Sequence, residues 1–136
     1  MTRLTADTNV LVRLFVDDDV QQSELATQVL EDAELIAISV QSLCELAWVL
    51  NTHYDVSRAD IAAAIRRLIE IDKVLVDREI VAAGLLILEA GGDFADGVIA
   101  SEGRMLGGET FVTFDKKASK LIAREGHQTR LLPGKG

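Results

Sequence analysis

The segment LTADTNVL at residues 4–11 joins a short apolar strand to an amphipathic helix through a single acid. Residues 4–6 have the apolar character of a buried strand, and residues 9–16 have the spacing of a helix. The same alternation recurs along the chain, with strands expected at residues 36–38, 74–76 and 111–113 and a candidate last strand at residues 129–131. Such alternation is typical of βαβ units, so we expect an α/β fold with helices on both faces of a parallel sheet.

The other helices are expected where apolar residues recur at helical spacing: residues 21–31, 40–50, 57–70, 77–91 and 94–106, and a basic helix after Asp115. With 136 residues, 49% of them hydrophobic, the chain is long enough to bury a core of its own. We expect a single domain over residues 1–132, followed by a flexible C-terminal tail at residues 133–136 that contains the only proline.

Cysteine usage and hydropathy indicate the compartment. The single cysteine excludes an internal disulfide and a cysteine-based zinc site, which fits a reducing cytoplasm. The longest apolar run, residues 81–88, is far shorter than the roughly 20 residues that a membrane-spanning helix needs. We therefore expect a cytoplasmic protein without membrane association.

The formal net charge of −8 argues at first against a nucleic-acid partner. The charges are unevenly placed, however: residues 116–136 carry six basic side chains and one acid, whereas residues 1–115 carry eight basic side chains and 21 acids. The basic segment is either a phosphate-binding edge or a solvated helix face whose cations suit a helix C-terminus, and both interpretations stay open.

Glu45 is the most informative of the 22 acids. It is the only charged residue between Ser39 and Leu50, in a helix that is apolar on nearly all sides and is therefore predicted to be buried. A buried carboxylate needs a cation, since an unpaired one is costly or becomes protonated. The alternatives are a salt bridge to an arginine or a side chain that reaches solvent.

Four other acids lie at strand ends or helix starts. Asp7 follows the first strand, Asp115 follows a late strand, and Asp93 and Asp96 are three residues apart on one face of a helix. Asp7, Asp93 and Asp115 could instead be N-caps, whereas Asp96 lies one turn into its helix. The acids at residues 17–19 are better explained as a solvated turn than as a metal triad.

Acids at the carboxyl ends of parallel strands can converge on one pocket at that edge of the sheet. Four or five carboxylates cannot all ionise in one pocket unless cations are present. Mg²⁺ and Mn²⁺ are the expected ions, because hard divalent cations prefer oxygen ligands.

Four short motifs resemble, in this order, those of the PIN-domain ribonucleases, and more narrowly those of the VapC toxins of type II toxin–antitoxin systems. They are DTNVL at residues 7–11, CEL at 44–46, DFAD at 93–96 and TFDKKA at 113–118. The resemblance covers nearly the whole chain. It implies a PIN-like three-layer α/β/α fold with a short, mainly parallel central sheet flanked by helices.

The resemblance also implies roles for individual residues. The catalytic and metal-binding acids would be Asp7, Glu45, Asp96 and Asp115, around one or two Mg²⁺ or Mn²⁺ ions. The supporting residues would be Asn9, Asp93 and Thr113. Gly97 departs from the bulkier residue expected after the third acid, and it would loosen its helix by about 1 kcal/mol relative to Ala.

Several other side chains have simpler interpretations. Lys116, Lys117 and Lys120 belong to the basic segment and are candidate contacts for RNA phosphates. His53 and His127 are expected at the surface, since the implied chemistry needs neither of them. Cys44 and Trp48 are expected in the core.

The resemblance implies an endoribonuclease toxin that hydrolyses RNA phosphodiester bonds and is neutralised by a VapB-type antitoxin. Such a toxin would form a homodimer and a hetero-oligomer with its antitoxin. Two other classes remain open. A Mg-binding phospho-receiver domain has similar length and an acidic pocket, although Asp7 lacks the neighbouring acid that receivers have. A non-catalytic PIN-fold interaction module is the third class, although all four principal acids are present.

Overall fold

Short strands and longer helices alternate along the chain in the computed structural model, which describes residues 2–134. The chain divides into an N-terminal unit, Met1–Asp77, and a C-terminal unit, Arg78–Gly136. The N-terminal unit contains β1 (Arg3–Thr5), α1 (Thr8–Phe15), α2 (Val20–Asp32), β2 (Leu35–Ala37), α3 (Val40–His53), α4 (Arg58–Ile69) and β3 (Val74–Leu75). The C-terminal unit contains α5 (Arg78–Glu89), α6 (Phe94–Met105), β4 (Thr110–Thr113), α7 (Lys116–Arg124) and β5 (Gln128–Leu131).

All strand pairs within residues 2–134 are parallel. In the N-terminal unit the order is β1-β2-β3, with Leu4 opposite Ile36 and Ile36 opposite Val74. In the C-terminal unit β4 pairs with β5, with Phe111 opposite Thr129. Parallel neighbours require crossover connections, which the helices supply. The predicted α/β class is confirmed, with helices dominant and the described strands paired as two short sheets, one in each unit.

The boundaries predicted from the sequence agree with the structure to within about three residues. Residues 133 and 134 have no regular secondary structure, while Lys135 and Gly136, the rest of the expected tail, lie outside the described residues. The single domain expected over residues 1–132 stays a prediction. No helix among residues 2–134 has both the length and the apolar character needed to cross a bilayer.

Helix α3 buries only one of its faces. Its buried residues are spaced three or four positions apart, on one side of the helix: Leu43, Leu46, Ala47 and Leu50. Glu45 is exposed, Trp48 is 60% exposed and Cys44 is half-buried. The predictions of a buried Glu45 and a core Trp48 are therefore wrong, because an apolar run does not show which of its sides the fold covers.

Helices α5 and α6 approach closely at two glycines. A Cβ atom on Gly97 would lie 2.4 Å from the carbonyl oxygen of Ala83 and 2.9 Å from Cα of Gly84. A Cβ atom on Gly84 would lie 2.6 Å from the buried ring of Phe94. Gly97 is therefore needed for the packing of α6 on α5, a role that outweighs its low helix propensity.

Candidate functional site

Asp7 caps the first helix of the N-terminal unit. It lies two residues after β1, and its Oδ1 accepts a hydrogen bond of 3.0 Å from the backbone N–H of Val10. A carboxylate has about four lone-pair positions, so a capping bond to Oδ1 leaves capacity for a cation. The capping role that the sequence left open is therefore present, and it is compatible with metal binding.

Glu45 is linked to the residue that follows Asp7. The hydroxyl of Thr8 donates a hydrogen bond of 3.1 Å to Oε2 of Glu45. Glu45 also reaches solvent, which was one of the alternatives to a buried, paired carboxylate. Thr8 was not among the predicted site residues, although its position beside Asp7 at the start of α1 was a usable signal. Asn9, the next residue, is exposed in the same turn.

Asp115 and Thr113 together define the start of α7 in the C-terminal unit. Oδ1 of Asp115 accepts a hydrogen bond of 3.0 Å from the N–H of Ala118, and the N–H of Asp115 donates one of 3.0 Å to the hydroxyl of Thr113. Asp93 occupies the N-cap position of α6, but its side chain makes no capping bond there.

The pKa of Asp96 is clearly shifted from its ordinary value. It is half-buried in the first turn of α6. Burial raises the pKa of Asp96 above its ordinary value, and the negative charges of Asp93 and Asp115 raise it further. These three acids of the C-terminal unit are thus close enough for their charges to interact, and a cation bound among them would favour the ionised form of Asp96.

The described residues show no preformed metal site. Nowhere in residues 2–134 is a group of three or more His, Cys, Asp or Glu side chains arranged to hold a metal ion. The donor chemistry nevertheless fits a hard divalent ion, because every predicted ligand offers carboxylate oxygens. Burial, and then the negative charges of Asp93 and Asp115, raise the pKa of Asp96, and a bound cation would oppose this shift. The candidate ligands therefore fit Mg²⁺ or Mn²⁺ by their chemistry.

Other charged residues have structural roles or stay predictions. In the acidic turn, Asp19 caps α2 through the N–H of Gln22, and Asp18 pairs with Arg13, so neither acid resembles a metal ligand. The candidate phosphate contacts are all exposed in the first half of α7: Lys116, Lys117 and Lys120. Their contact with RNA stays a prediction.

The chain belongs to the PIN-domain family, because the family model described as PIN domain matches residues 5–123. The match spans both units and includes all four predicted acids. PIN domains are generally nucleases, and they generally use divalent metal ions. The PIN-domain family and the PIN-like α/β/α fold predicted from the motifs are thus confirmed, while the narrower resemblance to the VapC toxins stays a prediction. No match to a curated protein was found.

Proposed function

We propose that this protein is a metal-dependent endoribonuclease that hydrolyses RNA phosphodiester bonds with one or two Mg²⁺ or Mn²⁺ ions. One observation carries the proposal: a family of nucleases matches a span that includes Asp7, Glu45, Asp96 and Asp115. The raised pKa of Asp96 supports it, since a half-buried carboxyl beside two other carboxylates is typical of sites that hold a cation.

The resemblance to the PIN-domain ribonucleases implies different metal-binding roles for the four acids. Asp7 and Asp96 would hold one ion directly, while Glu45 and Asp115 would bind it through water or help to hold a second ion. A bound divalent ion supplies an activated water and offsets charge on the departing oxygen. The proposal requires no histidine, because a bound ion would supply the activated water.

Polar neighbours keep two of these acids in place. The hydroxyl of Thr8 restricts the carboxylate of Glu45, and the hydroxyl of Thr113 binds the backbone N–H of Asp115. Groups that orient metal ligands typically contribute about 10- to 100-fold to metal affinity or activity. Asn9 and Asp93 are proposed to support the acids in the same way.

The basic helix α7 would bind the RNA backbone. Its first half carries Lys116, Lys117 and Lys120, all exposed. Each phosphate that a lysine neutralises releases counterions, so binding should weaken as salt rises. Because the rest of the chain is strongly acidic, we expect non-specific RNA affinity to be weak and cleavage to be selective.

Cleavage assays with purified protein test the enzymatic proposal. RNA should be cut in Mg²⁺ or Mn²⁺, and excess EDTA should stop cleavage. Cleavage that persists in EDTA would exclude the metal mechanism. RNA that stays intact in both Mg²⁺ and Mn²⁺ would instead favour a non-catalytic PIN-fold interaction module.

We further propose that the nuclease is a cytoplasmic VapC-type toxin, neutralised by a VapB-type antitoxin, that forms a homodimer and a hetero-oligomer with that antitoxin. This rests on the four motifs and on family membership. Induced expression should arrest growth, and co-expression of a short neighbouring gene that encodes a DNA-binding fold and a flexible tail should restore it. Normal growth at high expression of active enzyme would contradict the toxin proposal.

A further inference from the structure

A cavity of about 540 Å³ lies in the N-terminal unit beside the first turn of α1. Its lining contains residues from α1 and from the C-terminal end of α3: Thr8, Asn9, Val12, Arg13, Val49, His53 and Tyr54. The volume is within the range of about 300–1,000 Å³ that is usual for small-ligand sites. Because Thr8 also hydrogen-bonds Glu45, the cavity adjoins one of the proposed metal ligands.

One wall of the cavity is polar and is formed by Arg13 and Tyr54, which both hydrogen-bond Asp18. Arg13 donates to Oδ1 of Asp18 through Nη1 and to the hydroxyl of Tyr54 through Nη2, at 3.1 Å in the second case. Tyr54 in turn donates a bond of 2.9 Å to Oδ2 of Asp18. The side chain of Arg13 is only 11% exposed, while that of Asp18 is 49% exposed, so the guanidinium is held among partners and the carboxylate reaches solvent.

The other walls are apolar or aromatic. Val12 is buried in α1, Val49 is half-buried in α3, and His53 is exposed at the end of that helix. The ring of His53 meets the indole of Trp48 edge to face, with centroids 5.3 Å apart. His53 also lines the cavity, so its imidazole is an aromatic group available to a planar ligand there.

We propose that this cavity holds the unpaired base of an RNA nucleotide next to the bond that is cut. The proposal deepens the proposed nuclease function and rests on it for the identity of the ligand. Unpaired bases are recognised by stacking on aromatic side chains and by hydrogen bonds to their edges, and the cavity offers both. Asn9 and Thr8 supply the polar groups on the side that adjoins Glu45.

A phosphate is the other part of RNA that such a cavity could bind, and the charges disfavour it. Asp18 already balances the charge of Arg13, so the wall carries no net positive charge for an anion. Glu45, which hydrogen-bonds Thr8 of the lining, would repel a phosphate placed inside the cavity itself. The two valines of the lining, Val12 and Val49, can pack against the faces of a base and provide no group that binds an anion.

The sole tryptophan provides a direct test, because Trp48 contacts His53. In metal-free buffer, nucleoside 5′-monophosphates should change the fluorescence of Trp48 in a saturable way. Ribose 5-phosphate, which lacks the base, should have no such effect. His53→Ala should weaken nucleotide binding about five- to a hundredfold, the usual range for loss of one stacked ring, while His53→Phe should restore most of it.

His127→Ala is the matched control, since His127 belongs to the other unit and does not line this cavity. It should bind nucleotides like the wild type. Equal responses to ribose 5-phosphate and to nucleotides, or unchanged binding by His53→Ala, would overturn the proposal of a base site. The test uses no metal and no cleavage, so its failure leaves the nuclease proposal standing. If the protein binds nucleotides but cuts no RNA, the nuclease proposal is contradicted and the proposed base site is not.

Discussion

Thr8 donates a hydrogen bond of 3.1 Å to Oε2 of Glu45 and so links two residues that are 37 positions apart in the chain. The bond connects the first turn of α1 to α3, within the N-terminal unit. Both partners are accessible to water, so the bond should contribute little to the free energy of unfolding. The bond orients the carboxylate of Glu45, which lies close in space to the start of α1, the helix that Asp7 caps.

Thr8→Val removes this hydroxyl and keeps the shape of the side chain. We expect the rate of RNA cleavage to fall about 10- to 100-fold, because Glu45 is then less well oriented. The melting temperature should change little. Thr27→Val, an exposed threonine of α2, is the control and should keep the full rate. An unchanged cleavage rate in Thr8→Val would show that the bond has no catalytic consequence.

Gly97 and Gly103 lie in the same helix but in opposite surroundings. A Cβ at Gly97 would meet the backbone of α5, whereas nothing lies within 4 Å of a Cβ at Gly103. Gly97→Ala should therefore lower the free energy of unfolding by about 1–3 kcal/mol, despite the gain in helix propensity. Gly103→Ala should raise it by about 0.4–1 kcal/mol. Chemical denaturation measures both, and equal effects of the two substitutions would contradict the close packing of α6 on α5.

Asp96 should reduce stability in the absence of metal. Burial and the charges of Asp93 and Asp115 raise the pKa of Asp96 in the folded state, so the protein loses stability as pH rises from the unfolded-state pKa of Asp96 through its folded-state pKa. Below the unfolded-state pKa of Asp96, its carboxyl is protonated in both states and has no such effect. In EDTA, Asp96→Asn should therefore melt at a higher temperature than the wild type at neutral pH, and the difference should disappear in acid. A difference that is independent of pH would contradict this cause.

Asp18 should have the opposite dependence on pH. The hydroxyl of Tyr54, together with Arg13, holds the pKa of Asp18 below its ordinary value. The stability that this gives is present above the pKa that Asp18 has in the unfolded chain, and it is lost as pH falls through the pKa of Asp18 in the folded state. Asp18→Asn should lower the melting temperature modestly at pH 7, since the group is exposed, and less as pH falls. Asp17→Asn is the neighbouring control, and an equal loss in both variants would rule out the specific pair.

The element order and the acids at its junctions could be predicted from the sequence. Short strand-like segments that are followed by Asp7 or Asp115 predict strand-to-helix junctions, and both acids cap helices in the structure. The packing role of Gly97 could not be predicted, because helix propensity is a local property and the contact with Ala83 is not. The exposure of Glu45 could not be predicted either, because an apolar run does not reveal which helix face lacks neighbours.

The lining of the cavity could not be predicted from the sequence. Arg13, Asp18 and Tyr54 are brought together by the ends of two helices and a turn, over 41 positions of the chain. No local pattern marks such a group, and His53 was expected to be an ordinary surface residue. Trp48 supports His53 only because α3 leaves that side uncovered, which is decided by tertiary packing.

We propose that Asp7 and Asp96 both serve the metal-dependent cleavage of RNA. Single-turnover cleavage of RNA at saturating Mn²⁺ tests it most directly, with wild type, Asp7→Asn, Asp96→Asn and the double variant compared. Residues that act as a unit are strongly non-additive. Each single variant should therefore lose nearly all of the rate, with no further loss in the double variant and no loss of fold. Undiminished metal-dependent cleavage by Asp96→Asn would contradict the claim.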